Sequence, residues 1–356
     1  KEQHKLFWFE MSLGKHTNIR YAKLLPRLSH SVRSLVIRTR VSPNSLVRGA
    51  FRRMKAWFLY PAIYPFVLHR LARYYDFMLC TDPQFIPLFP GRIIVDLDDP
   101  TLEKAEISLL NDSKVEVVVT TTCLLKQHLQ QLGLRKPCVV IPSGVNLDWI
   151  EKARSKYQVQ QSRLDDSPLN LCFAAPRLVT RKEAVPGSET YKLRTVDFLM
   201  NAMRYVWQTC PDVQLWLVGE PSRGVQNLSR AYSQVKLWGY VDHRNIAEIY
   251  ARAHIGLYPR LGDFAGRHSI KMVEYMASGL PVVSTDVSEA FHVKRSDVGL
   301  IASNEKEFAE AIVRLVKDPE LRKSMSERGK EYSKAFDWDR LAERYRREVI
   351  DVYTGG

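Results

Sequence analysis

The chain has 356 residues, 45% of them hydrophobic and 26% charged, with a formal net charge of +14. That length suits two domains of roughly 150–200 residues each, and the composition excludes collagen-like and disordered classes. Five scattered cysteines (Cys80, Cys123, Cys138, Cys172, Cys210) match neither a disulfide framework nor a zinc spacing. They read as reduced thiols of a cytoplasmic protein. No run reaches the roughly 18 apolar residues of a membrane-spanning helix, and no secretory leader is legible.

The first predicted strand, KLFWFEM, runs into MSLGKHTNIRYAKLL. Gly14 in that loop permits close backbone approach, and Lys15 or His16 is placed to touch a phosphate or sugar. A helix over Ile19–Leu28 and a strand at SLVIRT follow. Between Lys1 and Tyr74, fifteen Lys/Arg stand against Glu2 and Glu10, a net of +13, so the remaining 282 residues are nearly neutral. Charge so one-sided implies a polyanionic neighbour. The segment VRGAFRRMKAWFLYPAIYPFVLHRLARYY interleaves that charge with Trp57, Phe58, Tyr60, Tyr64 and Phe66. An interfacial membrane segment requires this mixture, because aromatic rings sit at headgroup level while cations meet anionic lipids. A helix pair packing its aromatics into the core is the competing reading. No nucleic-acid motif accompanies the charge.

The strands FMLCT, RIIVDLD, VEVVVTT and PCVVIPSG complete the first half, with a helix over Thr122–Leu132. RIIVDLDDP places Asp96, Asp98 and Asp99 at a strand end. A carboxylate there can act as a general base if partial burial raises its pKa, or it can cap the helix that follows. A seam is expected between Gly144 and Asp166, where EKARSKYQVQQSRLDDS carries no strand pattern. The second half repeats the alternation. Strands are read at LNLCFAAP, VQLWLVGE, VKLWGYV, AHIGLYP and GLPVVSTD, and helices at Thr195–Thr209, Arg244–Ala253, Ile270–Ala277, Glu305–Lys317 and Glu320–Lys334. Two such sets in series predict an α/β protein of two Rossmann-like lobes, with the substrate cleft between them. The expected domains are 1–150, 151–335, and a terminal helix over 336–356 crossing back to the first lobe.

The densest constellation is HSIKMVEYMASGLPVVSTD, His268 to Asp286. Ser269 is an N-cap type, and Ile270, Val273 and Ala277 fall on one helical face. Lys271, Glu274 and Ser278 share another face, and Gly279 is placed to end the helix. A helix starting at Ser269 seats a diphosphate on its N-terminal N–H groups, and Glu274 lies one turn in, where a carboxylate can accept two ribose hydroxyls. The plain alternative pairs Glu274 with Lys271 on a surface helix.

The string SIKMVEYMASGLPVVST resembles the nucleotide-sugar-binding helix and strand of glycosyltransferases with the GT-B fold, in particular family four, which builds polysaccharides and glycolipids. CVVIPSGVNLDWI, FAAPRLVTRKE, VQLWLVGE, VKLWGYVDHRNIAEIYARAHIGLYP and FDWDRLAERYRREVIDVY agree in order, from about Cys138 to Tyr353. The resemblance implies a donor site of Arg177, Lys182, Ser269, Ile270, Lys271 and Glu274, with Gly14 approaching from the first lobe. It implies Asp99 or Asp98 as the catalytic base, with His16 beside it. Two fixed cations, Arg177 and Lys182, would stabilise a leaving nucleoside diphosphate without metal or other cofactor. Two departures stand out. EAVPGSETYKLR intervenes after Lys182, which would let Lys192 or Arg194 replace it. Gly266 occupies the position, eight before Glu274, where many retaining members carry a second glutamate.

The expected function is metal-independent hexosyl transfer from a nucleotide sugar to a glycan or lipid-linked acceptor, by a cytoplasmic protein held peripherally on an anionic membrane surface and binding no nucleic acid. A nucleotide-sugar epimerase of the same fold and an inactive membrane scaffold are the alternatives.

Overall fold

A computed structural model describes residues 4–12, 27, 32–40, 66, 69–70, 72–74, 77–98, 104–161, 168–184, 196–262 and 266–354. The chain divides into two units: Lys1–Gly144 with Ala265–His268 and Trp338–Gly356, and Val145–Phe264 with Ser269–Asp337.

The first unit contains one parallel sheet in the order β2-β1-β3-β4-β5-β6. Its strands are β1 His4–Ser12, β2 Val32–Arg40, β3 Phe77–Cys80, β4 Arg92–Leu97, β5 Val115–Thr120 and β6 Cys138–Val140. The runs FMLC and VEVVVT are apolar almost throughout, as strands buried on both faces require. Alternation then sorts their side chains. Met78 and Cys80 pack with Leu125 and Leu129 of the Cys123–Gln131 helix. Phe77 and Leu79 turn to the other face, against Trp338, Leu341, Tyr345 and Val349. That second cover is the Trp338–Tyr345 helix, which continues through a π-turn at Arg346–Ile350 into Asp351–Thr354.

The sheet of the second unit runs β12-β11-β10-β7-β8-β9 and is also parallel. Its strands are β7 Asn170–Leu178, β8 Gln214–Pro221, β9 Val235–Gly239, β10 Ile255–Tyr258, β11 Val282–Thr285 and β12 Gly299–Ala302. Counted from β7, this is the doubly wound order 3-2-1-4-5-6, and the strand order reverses between β7 and β10. Leu171 and Phe173 face Leu199 and Met203 of the Asp197–Thr209 helix and Phe308 and Ile312 of the Glu305–Lys317 helix. Cys172 and Ala174 face Tyr250, Met272, Tyr275 and Met276.

The Ile270–Ala277 and Glu305–Lys317 helices begin and end where the periodicity puts them. Several elements escaped the sequence reading, among them the short helices Arg223–Arg230 and Phe291–Ser296. The polar seam is a helix, Leu147–Gln161, of which Ile150 and Ala153 pack against Val273 and Ala277; one buried residue per turn is too thin a stripe to register. The four-residue strand β12 was also missed. The Ile19–Leu28 helix lies outside the described residues, apart from Arg27. Among the described residues no helix is long and apolar enough to cross a membrane.

Candidate active site

Ligands of a doubly wound sheet sit at the carboxyl ends of its strands, where the order reverses. In the second unit that point lies between β7 and β10. A small recess of about 60 Å³ occurs there, lined by Phe173, Ala175, Pro176, Tyr258, Pro259, Arg260 and Lys271. The Lys271 ammonium stands 5.4 Å from the Phe173 ring centroid and 5.7 Å from that of Tyr258. Among the described residues the ion pair of Glu274 is made with His243, so the Lys271 pairing offered by the helical spacing does not form.

Several local contacts seat the helix that carries Lys271. Ser269 is its N-cap, accepting from the Met272 N–H. Tyr275 accepts the Ala174 N–H of β7 on its hydroxyl at 3.2 Å. Its ring lies on Gly256 of β10, where a Cβ would come within 2.5 Å of Tyr275 Cδ2. Gly279 closes the helix at φ +80°. The N-terminal N–H groups and positive dipole end of this helix thus point from a fixed position beside the recess. Ile270 packs partly against the apolar cluster around Val145 and Ile150.

Glu274 departs from the plain alternative, which paired it with Lys271 on a surface helix. It is buried, with its side chain 11% exposed, and its Oε1 lies 2.6 Å from His243 Nε2. His243 is presented by a turn after β9, in which Asp242 accepts the N–H of Arg244 on Oδ1 and that of Asn245 on its carbonyl. Asn146, Trp149, Ile150 and Tyr250 line the same small pocket. A carboxylate held by one imidazole and opening into a pocket is preset to accept hydroxyl groups. His243 had no assigned role in the sequence; its only signal is its place in a turn following a strand end.

Arg177 ends β7 in register with Glu220 of β8 and is exposed. The strand bulges at Ala175–Pro176, and a Cβ on the facing Gly219, at φ +144°, would overlap the Ala175 carbonyl at 1.8 Å. Lys182 is exposed in the turn Arg181–Glu183. Neither cation has a hydrogen bond or ion pair among the described residues. The loop is pinned instead by Glu183, which accepts from the Thr180 N–H (3.0 Å) and hydroxyl (2.8 Å), the Ser222 hydroxyl (2.5 Å) and the Gly224 N–H (2.9 Å). Burial pushes this carboxyl up, but the donors outweigh it and hold it at about 2. The Thr-x-x-Glu spacing of a capping box was the available signal. Lys192 and Arg194 lie outside the described residues.

In the first unit, Asp98 follows β4 and accepts the Ser143 hydroxyl at 2.9 Å, while its carbonyl accepts from Thr121. Asp96 is fully buried. Asp99, Gly14, His16 and the basic aromatic segment around Arg48–Tyr64 lie outside the described residues.

Two doubly wound parallel sheets, with the Ile270–Ala277 helix at the switch point of the second, define a GT-B-fold protein. Residues 186–318 match the family described as glycosyl transferases group 1, and the chain carries that group's sequence resemblance within the GT-B fold. A phosphatidyl-myo-inositol mannosyltransferase of Mycobacterium leprae is 27% identical over 240 residues, 65% of this chain and 58% of the relative. The match thus spans little more than half of that relative's length. The crystal structure of Anabaena Alr3699/HepE with UDP and glucose superposes with a TM-score of 0.68 at 14% identity, covering 98% of this chain and all of the other. WaaG, a glycosyltransferase involved in lipopolysaccharide biosynthesis, gives a TM-score of 0.65 at 15% identity over 99% of this chain and all of its own.

Proposed function

We propose that the protein transfers a hexose from a nucleoside-diphosphate sugar to a lipid-linked or polysaccharide acceptor. The observation that carries this reading is the Ile270–Ala277 helix at the β7/β10 switch point, with Lys271 at its entry and Glu274 one turn deeper, held by His243. The helix N-terminus and Lys271 take the diphosphate. Glu274 accepts ribose hydroxyls, its orientation fixed by the imidazole. Arg177 and Lys182, unpaired among the described residues, neutralise charge that grows on the diphosphate as the glycosidic bond breaks. Cations built into the loop supply that neutralisation with no metal ion. Asp98 or Asp99 removes the acceptor proton, with Gly14 and His16 contributing from the same unit. The relatives support the donor and acceptor classes: one holds UDP and glucose, another is named for mannosyl transfer to phosphatidyl-myo-inositol. The basic, aromatic segment before Tyr74 supports a peripheral position on an anionic cytoplasmic membrane face.

The test is a donor panel with membrane extract as acceptor source, read by mass spectrometry of products and by calorimetry of nucleotide binding. Sugar transfer that requires acceptor is the expected result. Donor conversion without acceptor would make the protein an epimerase, and failure to bind any nucleotide would make it a scaffold.

A further inference from the structure

The second unit carries another cavity, of about 320 Å³, at the amino ends of its strands β10 and β11. Ala253 and His254, just before β10, and the turn Ser278–Pro281, just before β11, form one side of it. The length of β10, about 13 Å for four residues, separates this end from the Lys271 recess. The Leu147–Gln161 helix adds Arg154, and the Pro319–Ser333 helix adds Arg322, Lys323, Ser326 and Lys330. Among the described residues no carboxylate lines the cavity.

The cations differ in what already holds them. Arg154 donates to Glu151 at 2.8 Å. Arg322 donates to the carbonyls of Leu315 and Val316 at 2.6 and 2.7 Å, and is thereby fixed in place. The ammonium groups of Lys323 and Lys330 have no ion pair or hydrogen bond among the described residues. Lys323, Ser326 and Lys330 recur at i, i+3 and i+7, one stripe of their helix. That stripe abuts the turn at Gly279, where a Cβ would stand 2.8 Å from Ser326 Oγ and 3.6 Å from Lys330 Cδ.

A second observation is independent of the charge. Ser278 lines the cavity, is only 7% exposed, and its hydroxyl has no hydrogen-bond partner among the described residues. Buried hydroxyls are normally paired, so an unpaired one calls for an explanation. His254 contributes in a defined tautomer: its Nδ1 accepts the Asn170 N–H at 3.0 Å, which leaves Nε2 as the donor nitrogen. Burial, and then Arg322, keep this imidazole below its ordinary pKa and neutral.

We propose that this cavity is a phosphate-binding site, with Lys323, Lys330, Arg322, His254 and Ser278 as donors to the oxygens of a phosphate group. The donors come from the start of β10, the turn after the Ile270–Ala277 helix and the Pro319–Ser333 helix. Donors converging from several sides suit a tetrahedral dianion better than a planar carboxylate, which is met edge-on by one fork. The volume exceeds what a bare phosphate fills, so the occupant is a phosphate ester. The site does not depend on the transferase reading, since it shares no residue with the donor site.

The probe is inorganic phosphate, titrated calorimetrically into the full chain at constant ionic strength and with nucleoside diphosphate saturating the donor end. Lys323→Gln combined with Lys330→Gln removes two cations that support no other contact, so thermal unfolding should be unchanged while phosphate affinity falls about tenfold or more. Ser278→Ala should weaken it by a smaller factor, and Arg177→Ala should leave it intact. Co-sedimentation with phosphatidylcholine vesicles containing phosphatidic acid identifies the source. Reduced sedimentation of the double variant assigns a lipid headgroup, whereas equal sedimentation with weakened phosphate binding assigns a soluble ester. Phosphate and vesicle binding both unaltered by the double variant, or phosphate binding lost through Arg177→Ala instead, would overturn the proposal.

Discussion

A Cβ placed on Gly266 would stand 2.7 Å from the Leu125 Cβ and 2.8 Å from the Leu125 Cα, and the residue adopts φ +91°. The Thr122 hydroxyl, which also caps the Cys123–Gln131 helix, donates to the Gly266 carbonyl at 2.6 Å. Position 266 is thus a point where backbone meets helix. A glutamate there, as many retaining relatives in the resembled family carry, has neither the conformation nor the space. The missing glutamate is a packing requirement of this chain.

Gly266→Ala should therefore destabilise the protein by about 2–4 kcal/mol, from positive φ and overpacking together. Gly266→Glu should cost at least as much and restore no activity. Chemical denaturation of both variants is the measurement. A midpoint within experimental error of wild type would show that the loop relaxes freely.

Glu274 is buried against His243, so Glu274→Ala removes more than a ligand contact. Loss of a charged hydrogen-bond partner should cost nucleotide affinity by about 1.5–3 kcal/mol, and stability should drop measurably as well. His243→Ala should lower nucleotide affinity through the same carboxylate by leaving it less well oriented. Calorimetry with UDP and GDP separates these effects from unfolding. Unchanged affinity in both variants would remove Glu274 from the donor site.

Much of this architecture was legible because parallel strands buried on both faces are nearly unbroken apolar runs, and RIIVDL, VEVVVT, LNLCFAA and VQLWLVG all have that form. The helix at Ser269 carried its own cap, period and terminating glycine. The illegible parts depend on tertiary neighbours. Nothing local distinguishes His243 from any turn histidine until the Glu274 carboxylate is brought to it. The Leu147–Gln161 helix owes its place to Val273 and Ala277, more than a hundred residues away. Glu183 lay within a readable capping box, but its reach to Ser222 and Gly224 did not.

His292 is fully buried, bonded through Nδ1 to the Tyr332 hydroxyl at 3.0 Å and packed edge-on against Phe336. Burial, with help from Arg295, lowers its pKa from 6.5 to about 3. The folded value is the depressed one, so the unfolded chain gains a proton below pH 6.5 that the folded chain refuses. Stability from this group is complete above that pH and drains away as pH falls towards 3, by about 2 kcal/mol at pH 5. His292→Phe should make the loss between pH 7 and pH 5 smaller by about that amount. Urea midpoints at the two pH values test it, and parallel curves for variant and wild type would refute it.

Replacing Arg48, Arg52, Arg53 and Lys55 together with Gln should release the protein from anionic vesicles, since each near-surface cation contributes about 1 kcal/mol. Added salt should mimic the change by screening. Turnover on a short soluble acceptor should persist while activity on a lipid-linked one falls. Equal co-sedimentation of variant and wild type would assign the segment to packing or to another polyanion.

Glu183 decides how firmly Lys182 is held. Its carboxylate takes four donors from Thr180, Ser222 and Gly224, and so ties the loop after β7 to the loop after β8. Glu183→Gln keeps the shape but turns part of the acceptor set into donors facing donors. Because the folded pKa is about 2 against an ordinary 4.5, the clamp is complete above pH 4.5 and weakens only as pH falls from there towards 2. Wild-type turnover should therefore show no inflection from this group at neutral pH, and the Gln variant should behave at neutral pH as the wild type would in acid. Charge on the diphosphate grows towards the transition state, so a loosened Lys182 should lower kcat more than it raises the donor KM. The expected fall in kcat is about tenfold, the scale of one hydrogen bond to a charged group. Glu183→Asp, which keeps the charge at shorter reach, should recover part of it. A variant with wild-type kcat and an unaltered donor KM would show that Lys182 works without the clamp, or that it is not a donor ligand at all.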